Sequence, residues 1–164
     1  MASQYLTVDF NPYTVIFMSA ILVERLQEYS FDDATGIGRL MPFLSDRFSD
    51  EPIDEDLLRS IIDSTNYEQL VARLEGRIVG VAILSMIKGA GAGNKGWLED
   101  FVTDEEVRGK GIGDSIWSEM MAWCRENEIN LEFTSRPSRT AAHNFYRNHN
   151  AFTKRTTLFH VDVE

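Results

Sequence analysis

The stretch Val107-Arg108-Gly109-Lys110-Gly111-Ile112-Gly113 decides which fold we expect for this chain. It follows a predicted strand, Trp97–Thr103, and opens a predicted helix. Glycines let the backbone approach a ligand closely, and the amides at the start of a helix are unpaired and partially positive. Arg108 and Lys110 add positive charge. The stretch therefore predicts a phosphate-binding turn, since a merely tight turn would need only one glycine.

A second glycine-rich stretch, Gly91–Gly96, has the glycine spacing of a dinucleotide-binding loop but not its context. That motif requires a helix after the loop, whereas a strand is predicted here. It is not the phosphate loop of ATPases either, because Asn94 replaces the glycine before the lysine and Gly96 replaces the required Ser or Thr. We expect a mobile hairpin connection.

Further strands are predicted where β-branched and aromatic residues cluster between turn signals. These strands are Gln4–Phe10, Tyr13–Leu26, Tyr67–Leu74, Arg77–Met86, Ile129–Thr134 and Thr156–Val163. Residues 15–27 also fit a helix, and this alternative stays open. Glu75-Gly76 predicts a two-residue hairpin turn between two of the strands.

The helices are predicted from apolar residues at helical spacing. One, Ile37–Leu44, is interrupted by Pro42, and the next, Ile53–Ile62, follows Pro52. The glycine stretch opens a strongly apolar helix with Ile112, Ile116, Met120 and Trp123. Ser138 is expected to cap a last helix, whose apolar face carries Ala142, Phe145, Tyr146 and His149 and which stops at a left-handed Asn150. The pattern predicts an α/β (α+β) fold, a central mixed sheet with helices on both faces.

Composition bounds the class of protein. The 164 residues fit a single domain, 1–164, with residues 1–19 as an N-terminal strand extension. A formal net charge of -10 argues against partners such as nucleic acid or anionic membranes. This charge suits cationic partners, or it only maintains solubility.

The lone Cys124 excludes an internal disulfide, and no Cys and His cluster has zinc spacing, so we expect no metal. Without a leader or a membrane-spanning apolar run, we expect a mature, cytoplasmic protein.

Two motifs in register resemble one family. Arg108–Gly113 resembles the Arg/Gln-x-x-Gly-x-Gly/Ala signature of the GNAT superfamily of N-acetyltransferases, and Leu98–Val102 resembles the strand before it. Arg139–Tyr146 resembles the Arg/Asn-x-x-Ala-x-x-Phe-Tyr helix of that family. The resemblance extends from Ile21 to the C-terminus and implies a mostly antiparallel, twisted sheet.

The resemblance implies acetyl-CoA as co-substrate and direct attack by an amine in a ternary complex. The residues that would hold the pyrophosphate are Arg108, Gly109, Lys110, Gly111, Ile112 and Gly113. Phe101, Val102 and Thr103 would offer main-chain groups to the pantetheine arm, with one amide near the thioester oxygen. Arg139 would contact the cofactor phosphates or make a surface ion pair.

The catalytic roles are also implied by the resemblance. An amine must lose a proton before it attacks, and Glu99 is the leading base, with an ordinary surface carboxylate as the alternative. Asp100, expected on the opposite face of the strand, is the second choice. Tyr146 matches the tyrosine that protonates the thiolate. His143 is expected to be structural, and Asn150-Ala151 departs from the usual Gly-Phe of the family.

The acceptor is left open between a small cationic amine and a lysine or N-terminal amine. An acidic segment would attract such a cation or would only be solvated: Asp46, Asp50, Glu51, Asp54, Glu55 and Asp56. The rival from another class is a non-catalytic acyl-CoA sensor, and a nucleotide-binding protein is a third reading. A homodimer is compatible with the family.

Overall fold

The N-terminal end of the described fold is an edge strand. The computed structural model describes residues 20–163, so the predicted strand Gln4–Phe10 and the predicted extension 1–19 lie outside the described residues. Strand β1 spans Ile21–Arg25. Over these residues the structure favours the predicted strand over the helical alternative.

The strands that follow lie in the sheet in the same order as in the sequence. They are β2 (Tyr67–Leu74), β3 (Arg77–Ile87), β4 (Lys95–Thr103) and β5 (Leu131–Glu132). The sheet order is β1-β2-β3-β4-β5, and β1, β2, β3 and β4 pair antiparallel. Glu75 and Gly76 have φ values of 53° and 80°, which is the left-handed pair that a tight hairpin turn requires. The hairpin prediction is confirmed.

Four helices complete the described chain. They are α1 (Phe31–Gly38), α2 (Glu55–Ile62), α3 (Ile112–Glu126) and α4 (Thr140–Asn148). Short 3-10 helices cover Met41–Phe43 and Glu105–Val107. Within residues 20–163, no helix combines the length and the apolar character that crossing a membrane would need.

One face of the sheet carries the main core. Val71 pairs with Val81, and Val81 pairs with Val102, so these side chains share a face. They pack with buried side chains from β1 to α2: Leu26, Ala34, Ile37, Leu40, Met41 and Leu58. Helices α1 and α2 therefore cover this face.

Helix α3 covers the opposite face, where glycines make room for it. A Cβ atom on Gly80 of β3 would lie 2.7 Å from Ile116 Cδ1, and one on Gly96 of β4 would lie 2.8 Å from Trp123 Cζ3. Only glycine permits so close a helix at these two positions. The predicted fold, a sheet with helices on both faces, is confirmed.

The predicted start points of the early helices were wrong because capping side chains set them. Ser30 accepts a hydrogen bond from the Asp33 amide and starts α1 at Phe31, six residues before the apolar stripe began at Ile37. Pro42 lies within the 3-10 helix that follows. Asp54 caps α2 through the Leu57 amide, so Pro52 precedes the helix rather than opening it.

Among the described residues, 132–163 form a second compact unit and 20–131 form the first. In the second unit Arg139, not Ser138, is the N-cap residue of α4. Asn150 has a φ of 63°, which confirms the left-handed stop. The single domain 1–164 stays a prediction.

Of two strands predicted near the C-terminus, one is shorter than predicted and the other was wrong. Of the predicted strand Ile129–Thr134, Leu131–Glu132 form β5, and the neighbouring Asn130 carbonyl accepts a hydrogen bond from the Gly96 amide. Residues 151–163 contain no regular secondary structure, although Thr156–Val163 was predicted as a strand. Phe159 and Val163 are 85% and 94% exposed. Alternating apolar residues favour a strand, but a strand forms only where a neighbouring backbone completes its hydrogen bonds.

Candidate active site

Strand β4 is interrupted by a β-bulge at the predicted site. Val81 pairs with Val102 and Ile83 pairs with Glu99, so Ala82 on β3 faces both Asp100 and Phe101. Asp100 adopts a left-handed φ of 45°. A bulge breaks the regular ladder and redirects the side chains beside it, so strict alternation no longer fixes the direction of Asp100.

The two carboxylates at the bulge have different surroundings. Glu99 is exposed, and its Oε1 accepts a hydrogen bond of 2.7 Å from the Trp97 indole Nε1–H. Asp100 is also reachable by solvent, but desolvation on its protein side, and then the charge of Glu99, raise the pKa of Asp100 above its ordinary value. The structure thus brings both predicted base candidates to one bulge.

The residues after the bulge return to the ladder. Val102 pairs with Val81 and is buried, and Thr103 pairs with Gly80. Because the Val102 side chain belongs to the core, only its main chain could serve a cofactor. Phe101 is half-buried beside the bulge. The predicted pantetheine residues therefore occupy the last stretch of β4, directly before the glycine turn.

The glycine turn leads into helix α3, as its sequence predicted. Gly109 and Gly111 adopt left-handed φ values of 79° and 81°, and a Cβ on either would meet nothing within 4 Å. Gly111 is the N-cap residue of α3. Since glycine has no side chain, α3 lacks the side-chain cap that Ser30 gives α1 and Asp54 gives α2. The first-turn amides of α3 therefore receive no hydrogen bond from a capping side chain.

Net charge does not make this turn attractive to anions. Lys110 is exposed, and the Arg108 guanidinium is paired with Glu105. Glu106 and Asp114 lie on either side of the turn. The carboxylates offset the cations, so backbone amides and the helix dipole would have to supply the attraction for a phosphate group.

Asp104 anchors the start of the turn, and the sequence patterns did not predict this role. Its carboxylate is wholly buried and accepts hydrogen bonds from Arg39 Nη1 at 2.7 Å, Arg77 Nη2 at 3.3 Å and the Glu106 amide at 2.9 Å. Burial alone would raise the pKa of Asp104, but these hydrogen bonds and charges outweigh it and lower the pKa. Asp before a turn is a capping signal, but its arginine partners cannot be read locally.

Tyr146 and Arg139 belong to the second compact unit. The Tyr146 ring lies 4.6 Å from the Phe133 ring and 5.8 Å from the Phe145 ring, centroid to centroid. Desolvation raises the pKa of Tyr146, and the charge of Arg139 only partly opposes it. The phenol therefore keeps its proton at neutral pH.

Other features of the described chain do not join the predicted site. His143 Nε2 lies 3.2 Å from Ser135 Oγ, which agrees with the structural role expected for it. A shallow cavity of about 360 Å³ lies at the far end of α3, lined by Met121, Cys124, Arg125, Glu128, Ile129, Asn130 and Leu131. Among residues 20–163, no group of His, Cys, Asp and Glu side chains is arranged to hold a metal.

Known structures share this architecture. An aminoglycoside acetyltransferase from an uncultured soil metagenomic sample has a TM-score of 0.75 and 21% identity over 88% of this chain and 97% of that chain. A transcriptional regulator from Bacillus halodurans C-125 has a TM-score of 0.73 and 19% identity, covering 87% and 100%. Glucosamine-6-phosphate N-acetyltransferase from Arabidopsis thaliana has a TM-score of 0.69 and 18% identity, covering 87% and 98%. At such identities these similarities show the fold alone.

The sequence comparison is more specific. Comparison with curated proteins finds no match. Residues 21–152 match the acetyltransferase (GNAT) family, and this range contains the bulged strand β4, the glycine turn and helix α4. The chain therefore belongs to the acetyltransferase (GNAT) family and is an acetyl-CoA-dependent N-acetyltransferase.

Proposed function

We propose that this enzyme transfers the acetyl group of acetyl-CoA to a primary amine by direct attack in a ternary complex. The amine belongs to a small cationic molecule, or to a lysine side chain or N-terminus. One observation carries the proposal: the bulge in β4 leads directly into an uncapped, glycine-lined helix start. Together these two features would supply a reactive carboxylate and a phosphate-binding backbone from one short segment.

The residues of the turn fit the pyrophosphate of the co-substrate. Amides from Arg108 to Gly113 would bind it, since the left-handed glycines leave the backbone accessible. Main-chain groups of Phe101, Val102 and Thr103 would bind the pantetheine arm. An amide near the thioester oxygen would stabilise the negative charge that develops there during attack.

Glu99 is the proposed base that takes the proton of the attacking ammonium. Its carboxylate is exposed and held by Trp97, so it is oriented and can be reached by an acceptor. Asp100 remains the second choice: its raised pKa makes the ionised carboxylate a stronger base than that of an ordinary aspartate. Substitution of each carboxylate by its amide separates the two.

Tyr146 is the proposed acid that protonates the departing thiolate. A phenol can donate only while it holds its proton, and desolvation raises the pKa of Tyr146. Arg139 lies at the N-cap position of the same helix and would bind a phosphate of the co-substrate or make a surface ion pair.

The acidic segment between α1 and α2 supports a cationic acceptor. Asp54 is committed to capping α2, and Glu55 pairs with Arg59 at 2.8 Å. The other acidic residues of the segment are exposed: Asp46, Asp50, Glu51 and Asp56. A similar acetyltransferase has been solved in complex with sisomicin, an aminoglycoside. A polyamine or an aminoglycoside would be drawn to such a surface.

An acceptor screen tests the proposal. Purified protein is incubated with acetyl-CoA and, in turn, spermidine, spermine, sisomicin, glucosamine-6-phosphate and a lysine peptide, and released thiol is measured. We expect the highest turnover with a polycationic amine and loss of activity at high salt. Coenzyme A binding without turnover on any amine would instead favour the acyl-CoA sensor. Heat protection by ATP or NAD, but not by coenzyme A, would favour a nucleotide-binding protein.

The proposal also covers the cellular compartment and the oligomeric state. We infer a cytoplasmic enzyme, because the chain has a single cysteine, which is free and buried, and a net charge of -10. A homodimer is compatible with the proposed chemistry, and light scattering at several concentrations tests it.

A further inference from the structure

Three side chains form a row on one face of β4. Lys95, Trp97 and Glu99 pair with Ile87, Ser85 and Ile83 of β3. Directly paired residues share a face of the sheet, and so do residues two apart along a strand. The row therefore runs along one face and ends at the bulge.

The indole of Trp97 connects the row. Its Nε1–H donates a 2.7 Å hydrogen bond to Glu99 Oε1, and the Lys95 ammonium lies 5.4 Å from the centroid of the Trp97 ring. Trp97 itself is half-buried, whereas Glu99 is exposed. An exposed glutamate samples many rotamers, so a fixed donor at this distance restricts its orientation.

We infer that Trp97 is a positioning residue for Glu99: its indole N–H holds one carboxylate oxygen in place. This inference rests on the proposed role of Glu99 as the base. An indole N–H is only a donor, so it cannot take the proton from the amine itself. It leaves Oε2 of Glu99 for the ammonium proton or for a water that relays it.

Other charged groups that could affect Glu99 lie on its own strand or on the elements next to it. On its own strand the charged neighbours are Asp100, which is adjacent, and Lys95, which lies beyond Trp97. Opposite Glu99 on β3 lies Ile83. The 3-10 helix that contacts β4, Met41–Phe43, contains no charged residue, and α3 packs on the other face. Strand β5, the other neighbour of β4 in the sheet, carries Glu132, which is paired with Lys154.

The bond can be tested without any acceptor. The chain has three tryptophans, and in nitrogen-15-labelled protein the indole signal that Trp97→Phe removes belongs to Trp97. We expect this signal to shift as the pH is lowered from about 6 to about 3, where carboxylates take up protons. In Glu99→Gln it should stay constant. A signal that does not titrate in the wild type, or that still titrates in Glu99→Gln, overturns the inference.

The functional consequence is read from the pH dependence of turnover, with the best acceptor of the screen. Without the indole donor the ionised carboxylate is less favoured. We expect the acidic limb of the rate profile in Trp97→Phe to move to higher pH, because water replaces only part of the lost hydrogen bond. The plateau at high pH should fall less than about tenfold.

Two controls separate the possible failures. Ser85→Ala removes the hydroxyl paired opposite Trp97 and should leave the limb where it is. Glu99→Gln should abolish the limb. If Glu99→Gln retains it, the proposed base is wrong and the inference falls with it. If Glu99→Gln abolishes the limb but Trp97→Phe leaves it unmoved, or lowers the rate equally at every pH, only the role of Trp97 is refuted.

Discussion

Asp104 is the residue where we expect one substitution to disturb the glycine turn most. Its buried carboxylate binds Arg39 from the end of α1, Arg77 from the start of β3 and the Glu106 amide. Asp104→Asn keeps an oxygen acceptor for the amide but removes the charge. The two guanidinium groups then lose their common anion.

The magnitude follows from the exposure of the partners. Removing one member of a buried ion pair costs about 3–5 kcal/mol. The Arg39 and Arg77 side chains are 33% and 50% exposed, so water compensates part of the loss, and we expect about 2 kcal/mol. For a chain of this size that corresponds to a decrease in Tm of about 4–8 °C. Asp104→Ala also removes the cap and should cost about 1 kcal/mol more.

The effect should depend on pH. The lowered pKa of Asp104 in the folded state means that its charge stabilises the fold above the unfolded value, about 3.9. This contribution is lost as the pH falls through the folded pKa. Wild type and Asp104→Asn should therefore differ in Tm at pH 6 to 8, and the difference should narrow steadily as the pH falls below about 4.

Thermal and urea denaturation at several pH values measure this difference. Glu106→Gln is the matched control, because Glu106 is 73% exposed and 3.5 Å from Arg77, and it should change stability by less than about 0.5 kcal/mol. An Asp104→Asn protein as stable as the wild type at pH 7 would refute the reasoning. So would a difference that does not narrow as the pH falls below about 4.

Three further outcomes are expected. Gly111→Glu should raise the dissociation constant of coenzyme A at least about tenfold, through the added negative charge and the left-handed φ of 81°, whereas Gly91→Glu in the other glycine stretch should leave it unchanged in calorimetry. Tyr146→Phe should lower kcat by about 10²-fold or more with unchanged cofactor affinity, and equal kcat would remove it from the acid role. Gly80→Val should destabilise the fold by about 1–3 kcal/mol, measured by urea denaturation, because its Cβ would lie 2.7 Å from Ile116.

The features that the sequence predicted correctly are local ones. The hairpin at Glu75-Gly76, the start of α3 at Ile112 and the left-handed Asn150 each depend on residues within a few positions. Turn conformation and helix periodicity are set over such short distances. The backbone of the glycine turn is therefore predictable from its own residues.

The features that it missed depend on distant partners. The bulge at Asp100 exists because two segments of β3–β4 pairing differ by one residue in register, and register is not local. Asp104 and Arg39 are 65 residues apart in the chain. The hydrogen bond from Trp97 to Glu99 joins residues that are close in the sequence, but it requires a particular rotamer of each side chain.

The missing side chain at Gly111 has a consequence for the order of events in the enzyme. Helices α1 and α2 carry their own caps, so their ends are complete in the free protein. Helix α3 has no such cap, so its first-turn amides are open to water or to a bound anion. On the proposed assignment, the donor substrate would cap the N-terminus of α3, the helix that packs against Gly80 and Gly96 of the sheet. Binding of the donor would then make α3 and the sheet beneath it more rigid before any acceptor binds.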